Sequence, residues 1–164
     1  MTQPESAPEP GAPDPAQIGG LMQSLYDVIS GPAGQARDWT RFEGLFHPGG
    51  AWLMVVGRPG GGEARLARRL TPADYRAAAE PMFQASGFHE RELSRRVECY
   101  GHIAQVFSTY ETRHEATGPV FDRGINSLQL VWEDGRWYVL SILWQGESIG
   151  PALPARYLQA PPPG

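Results

Sequence analysis

The stretch Arg123-Gly-Ile-Asn-Ser-Leu-Gln-Leu-Val-Trp-Glu-Asp-Gly-Arg-Trp-Tyr-Val-Leu-Ser-Ile-Leu-Trp-Gln145 holds two runs of strand-forming residues separated by Asp134-Gly135. That dipeptide suits the two positive-φ positions of a type I′ turn, whose twist matches the strands of a two-residue hairpin. With Glu133 opposite Arg136, uninterrupted alternation pairs Trp132 with Trp137, Leu130 with Val139, Leu128 with Ser141 and Asn126 with Leu143 on one face. The other face then carries Ile125, Ser127, Gln129, Val131, Tyr138, Leu140, Ile142 and Trp144. Both faces are largely apolar, so both need cover, one from helices of the same chain and the other from elsewhere.

Upstream, Leu93 to Tyr100 and Ile103 to Arg113 read as a second hairpin turning at Gly101-His102. Its inner face would hold Leu93, Arg95, Val97, Cys99, Ala104, Val106, Ser108 and Tyr110, which makes Cys99 a buried packing residue. The run Ala51 to Val56, bounded by glycines, has the pattern of a buried strand, and Glu63 to Leu70 that of an exposed edge strand. Three helices precede or interrupt these strands. The first follows the cap Asp14-Pro15-Ala16-Gln17 and keeps a 3.6-residue apolar period from Ile18 to Ile29; the second is short and capped by Asp38. The third starts at Thr71-Pro72-Ala73-Asp74 and is expected to kink or break at Pro81.

The 164-residue length fits one domain. Every one of its 14 basic residues is arginine, and the formal net charge of −4 comes largely from Glu5, Glu9 and Asp14. A nearly neutral folded part argues against a nucleic-acid partner, and no apolar run approaches a membrane span. A cytoplasmic address follows by default, since the N-terminus lacks a signal-peptide pattern. Cys99 is the only cysteine, and the four histidines have no ligand spacing, so neither a metal nor another cofactor is expected. Residues 1–13 and 159–164 are proline-rich and read as disordered tails around a single domain at 14–158, and deleting the first should leave stability unchanged.

Helices, a short strand, another helix and two long hairpins make an α+β chain: a cone-shaped curved antiparallel sheet with N-terminal helices packed on its concave face. That order, with Ile103-Ala-Gln-Val-Phe-Ser-Thr-Tyr-Glu111, Arg123-Gly-Ile-Asn-Ser-Leu-Gln129 and Asp134-Gly-Arg-Trp-Tyr-Val139, resembles the nuclear transport factor 2-like (SnoaL-like) superfamily over residues 16 to 146. The resemblance implies a pocket between sheet and helices. It does not imply one function, because the fold hosts isomerases, hydrolases, dehydratases, cyclases and binding domains.

Tyr26, Ser108, Tyr110, Asn126, Trp137 and Ser141 are the expected ligand-binding residues on the helix and concave face, although buried polar groups commonly satisfy one another instead. Ketosteroid isomerases of the superfamily place a carboxylate base on the first strand opposite tyrosine and acidic donors. Tyr26 matches the helix tyrosine, but Ala51-Trp-Leu-Met-Val-Val56 has no carboxylate. Limonene epoxide hydrolases use an Asp-Arg-Asp set, and Arg95 has no flanking Asp on the expected face. The remaining acid-base candidates are His89 and Asp122, with Glu90, Glu92 and Glu98 behind them. A lone histidine is more often a surface residue. Three readings follow: a cone binding a small apolar ligand, a lyase, isomerase or cyclase on such a molecule, or a non-catalytic adaptor. A homodimer through the outer sheet face is expected from Val131, Tyr138, Leu140, Ile142 and Trp144, too contiguous an apolar set to leave in water. Asn126→Leu should abolish ligand binding if the amide orients a ligand, or destabilise the fold by about 1–3 kcal/mol if it bridges neighbours.

Overall fold

A computed structural model describes residues 11–159. Asp134 and Gly135 take φ of 50° and 78°, and Glu133 stands opposite Arg136, as the type I′ turn requires. The helices are α1 (Ile18–Ile29), α2 (Trp39–Gly44) and α3 (Pro72–Ala85), and the strands β1 (Trp52–Gly57), β2 (Arg65–Leu70), β3 (His89–Tyr100), β4 (Ile103–Arg113), β5 (Val120–Glu133) and β6 (Arg136–Gly146). They start where capping chemistry is supplied. Asp14 accepts from the Ala16 amide at 3.0 Å in the 3-10 turn that leads into α1, and Asp38 accepts from Arg41 at 2.9 Å at the start of α2. Thr71 and Asp74 form a reciprocal capping box at 3.1 Å on α3. Of the kink or break expected at Pro81, the break does not occur: α3 runs on to Ala85, burying Ala79 and Phe83 on either side of the proline.

The six strands form one sheet in the order β2-β1-β6-β5-β4-β3, antiparallel except for β1 beside β6. Ile18, Met22, Leu25, Val28 and Ile29 of α1, with Trp39, Phe42, Ala79 and Phe83, close over a concave face built on Val106, Leu128, Leu130 and Val139. At the narrow end Trp132 and Trp137 meet edge to face, 5.4 Å between ring centroids. Their indole N–H groups donate to the Gly11 carbonyl at 3.1 Å and the Asp14 carbonyl at 2.8 Å. The boundary expected at residue 13 cuts through this contact. Residues 1–10 and 160–164 of the expected tails lie outside the described residues.

Two β-bulges overturn the uninterrupted alternation. In β6 Leu140 is extra: Leu130 pairs with Val139, but Gln129 pairs with Ser141, Leu128 with Ile142 and Asn126 with Trp144. Ile142 and Trp144 therefore turn inward, while Ser141 and Leu143 turn outward. In β3 Leu93 is extra, so Glu92 faces Tyr110 and Glu90 faces Thr112. Cys99 is exposed rather than buried, because the tip of edge strand β3 extends past the helices. The outer face is partly covered by the chain itself. Tyr157 packs on Phe107 with ring centroids 5.3 Å apart, and Ser94 and Arg96 donate to the Tyr157 and Arg156 carbonyls, so that outward Thr109 is only 1% exposed.

The indole contacts set a test. Deletion of residues 1–13 removes the acceptor of Trp132, and deletion through Asp14 removes that of Trp137 as well. Calorimetric melting is expected to show a loss on the first deletion and a larger one on the second, each orphaned donor costing about 1–3 kcal/mol.

Candidate functional site

Between the helices and the concave face lies a cavity of about 310 Å3. Met22, Leu25, Ile29, Phe42, Leu53 and Leu128 give it apolar walls, and the exposed members of its lining, Arg68, Ala78, Met82 and Phe121, mark its mouth. The polar groups come from consecutive rungs of the sheet. Glu90, Thr112 and Asp122 share one rung, Glu92, Tyr110, Gly124 and Gly146 the next, and Ser108, Asn126 and Trp144 the one after. The two glycines are spatial necessities. A Cβ on Gly124 would stand 2.5 Å from the Tyr110 hydroxyl, and one on Gly146 would stand 2.7 Å from an Asp122 carboxylate oxygen.

Glu90 is held in place from α1. The Ser30 hydroxyl accepts from the Glu90 amide at 2.9 Å and lies 2.7 Å from the Tyr26 carbonyl, and Gly31 forms a two-way bridge with Phe88. Arg37, 8% exposed, fixes the end of α1 by donating to the carbonyls of Ile29, Gly31, Pro32 and Gln35.

A directed chain of hydrogen bonds crosses the site. Ser108 donates to the Glu92 carboxylate, whose other oxygen is 2.9 Å from Arg95. The Ser108 proton being committed, Tyr26 donates to Ser108 over 2.7 Å and accepts from the Asn126 amide at 3.1 Å. Tyr26 thus has only a lone pair left for the cavity.

No family model and no curated protein matches the chain by sequence. Solved structures match it in shape. A nuclear transport factor 2-like protein with a cystatin-like fold from Novosphingobium aromaticivorans aligns with a TM-score of 0.62 and 13% identity, over 79% of each chain. A protein of unknown function with a cystatin-like fold from Nostoc punctiforme aligns at 0.61 and 13% identity, over 85% of this chain and 93% of that one. One of unknown function from Silicibacter pomeroyi, likewise nuclear transport factor 2-like, aligns at 0.52 and 17% identity, over 80% and 93%. The chain has the nuclear transport factor 2-like fold.

Within this nuclear transport factor 2-like cone, Tyr26, Tyr110, Asn126 and Asp122 line the cavity. Ser108 lies behind Tyr26 as its acceptor. Trp137 lies outside the cavity in the narrow-end plug, and Ser141 is on the outer face opposite Gln129 and Trp52. His89 is the neighbour of Glu90 and so points the other way along β3, opposite Arg113. Among the described residues no group of three His, Cys, Asp or Glu side chains could hold a metal ion, and no helix is long and apolar enough to cross a membrane. The residue that strict alternation ranked too low is Glu90. The two-residue spacing of Glu90 and Glu92 was its only sequence signal, and the bulge that turns both inward has none.

Burial, with Asp122 nearby, pushes the Glu90 carboxyl up to about 8, against the partial relief of the Asn126 amide. Asp122 is raised by burial and by Glu147, and Glu92 by burial in spite of Ser108 and Arg95. The Tyr110 hydroxyl is raised by burial and then by Asp122 and Glu90. A raised carboxyl favours the folded state while protonated, so its contribution is complete below the ordinary value of 4.5 and is lost as pH rises through about 8. Melting temperature is expected to fall over that interval in the native chain and more shallowly in Glu90→Gln, with the variant the more stable above pH 8. Because Asn126 bridges to Tyr26, Asn126→Leu is expected to destabilise by about 1–3 kcal/mol in urea unfolding.

Proposed function

We propose that the chain is a small-molecule-binding protein whose cavity takes a compact, largely apolar molecule and meets its polar end with Glu90, Asp122, Tyr110 and Asn126. The observation that carries this reading is an apolar cavity of about 310 Å3 in which polar groups converge from three strands, the usual make-up of a ligand site. The narrow end is plugged by Trp132 and Trp137, yet the space beyond it stays open, which favours a binder over a purely structural adaptor. The neutral naphthalene dye prodan tests it. Saturable binding with a blue-shifted emission is expected, and Ala78→Trp at the exposed mouth should weaken it at least tenfold with little change in melting temperature. A linear, non-saturating response would defeat the reading.

A second reading, lyase or isomerase, is favoured by one juxtaposition. Glu90, neutral near pH 7, and Asp122 stand on one rung of the sheet as a general acid beside a general base. Catalysed deuterium exchange next to the carbonyl of small enolisable ketones is its expected signature, lost in Glu90→Gln and in Asp122→Asn but kept in His89→Gln. The homodimer also remains a proposal. With Ile142 and Trp144 turned inward, it rests on Val131, Tyr138, Leu140 and Leu143, and sedimentation at micromolar concentration should show a dimer that Leu143→Glu disperses.

A further inference from the structure

We propose that the polar end of the cavity is a receptor for an organic ammonium group, so that the ligand is a small amine with an apolar, aromatic-sized body. The inference rests on the reading of the cavity as a ligand site and names the chemistry of its occupant.

The first support is the donor and acceptor inventory. Tyr26 spends its proton on Ser108, and its remaining lone pair is an acceptor. Asn126 spends an N–H on Tyr26 and stands beside Glu90, leaving its carbonyl oxygen free to accept. Glu90 on β3 and Asp122 on β5 add carboxyl oxygens from either side of Thr112 on β4. A ligand head placed there meets the Tyr26 lone pair, the Asn126 carbonyl oxygen and the carboxyl oxygens of Asp122 and Glu90, to which the three N–H groups of an ammonium donate once Glu90 gives up its proton.

The second support is independent. Tyr110 is 4% exposed, lines the cavity, and its hydroxyl makes no hydrogen bond among the described residues. Its ring lies over Gly124, where any side chain would displace it. No fully buried side-chain polar atom among the described residues lacks a partner, so this unbonded hydroxyl is open to the cavity, where a ligand can supply one.

The third is charge. Arg68 is the cavity's one arginine, at the mouth on β2, whereas Arg95 is paired with Glu92 and Arg123 with Glu147. The groups facing Glu90 are Asp122 on β5, Tyr26 on α1, Tyr75 on α3 and Tyr110 on β4, none of them cationic. Tyr75, Phe88, Phe121 and Trp144 supply aromatic surface in the same lining, which suits a cation and an aromatic body alike.

Tryptamine, tryptophol and indoleacetate share a skeleton and differ only in the head group. Calorimetry at pH 7 is expected to show tryptamine binding at least tenfold more tightly than tryptophol, with no binding of indoleacetate. In buffers of different ionisation enthalpy, tryptamine binding should also release protons as Glu90 ionises beside the ammonium. The double variant Glu90→Gln, Asp122→Asn should lose the tenfold preference while still binding tryptophol, which shows that its cavity is intact. Equal binding of amine and alcohol, a preference for the acid, or an undiminished preference in the double variant would overturn the proposal and leave the binding cavity standing. Failure of all three to bind, together with failure of prodan, would overturn both.

Discussion

Side chains along a β-strand alternate between faces, and one extra residue reverses that assignment for everything beyond it. The site depends on this constraint twice. Without Leu93 in excess, Glu90 and Glu92 would point away from the helices and the cavity would have Asp122 alone. Without Leu140 in excess, Trp144 and Ile142 would leave the wall to Ser141 and Leu143. The bulges therefore make the outer face less apolar and the inner face more acidic than regular strands would.

Accommodation of the acids has a visible structure. Ser30 fixes the backbone of Glu90 to the end of α1, and Arg37 fixes that end by gathering four carbonyls. Gly124 and Gly146 open the neighbouring rung for Tyr110 and Asp122. Glu92 is handled differently, with Arg95 and Ser108 as partners. The acid that keeps partners serves as the end of a hydrogen-bond chain, and those left facing the cavity are the ones available to a ligand.

Much of the fold was legible because its signals are local. Asp134-Gly135, Thr71-Pro72-Ala73-Asp74 and Asp38 each fix a turn or cap through their own backbone chemistry, and the stripe from Ile18 to Ile29 needs only a helical period. Tyr26, Tyr110 and Asn126 were legible as cavity residues for a related reason: each lies where counting from the turn, or along the helix, is unbroken, whereas Asp122, further along the same face of β5, was read only as an acid-base candidate. Ser141 and Glu90 were assigned amiss because a bulge is decided by how two strands settle against their neighbours, and Leu93 and Leu140 look like any other strand leucine. Trp137 failed on size: an indole at the narrow end fills its space instead of lining it. Cys99 failed on reach, since strand periodicity does not say how far the covering helices extend.

The parallel pairing of β1 with β6 joins an early segment of the chain to the last strand made. On a ribosome, β1 and β2 emerge as a two-stranded unit long before their neighbour exists, and such a unit alone is marginal in water. Leu53 and Val55, which end as cavity wall, must stay out of trouble until residues 141–144 are synthesised. The arginines of β2, Arg65, Arg68 and Arg69, lie on the outer strand of that waiting pair, where charge discourages edge-to-edge association with other nascent chains. A single inter-strand contact thus sets a schedule for the whole cone, and the edge that must wait longest carries three positive charges.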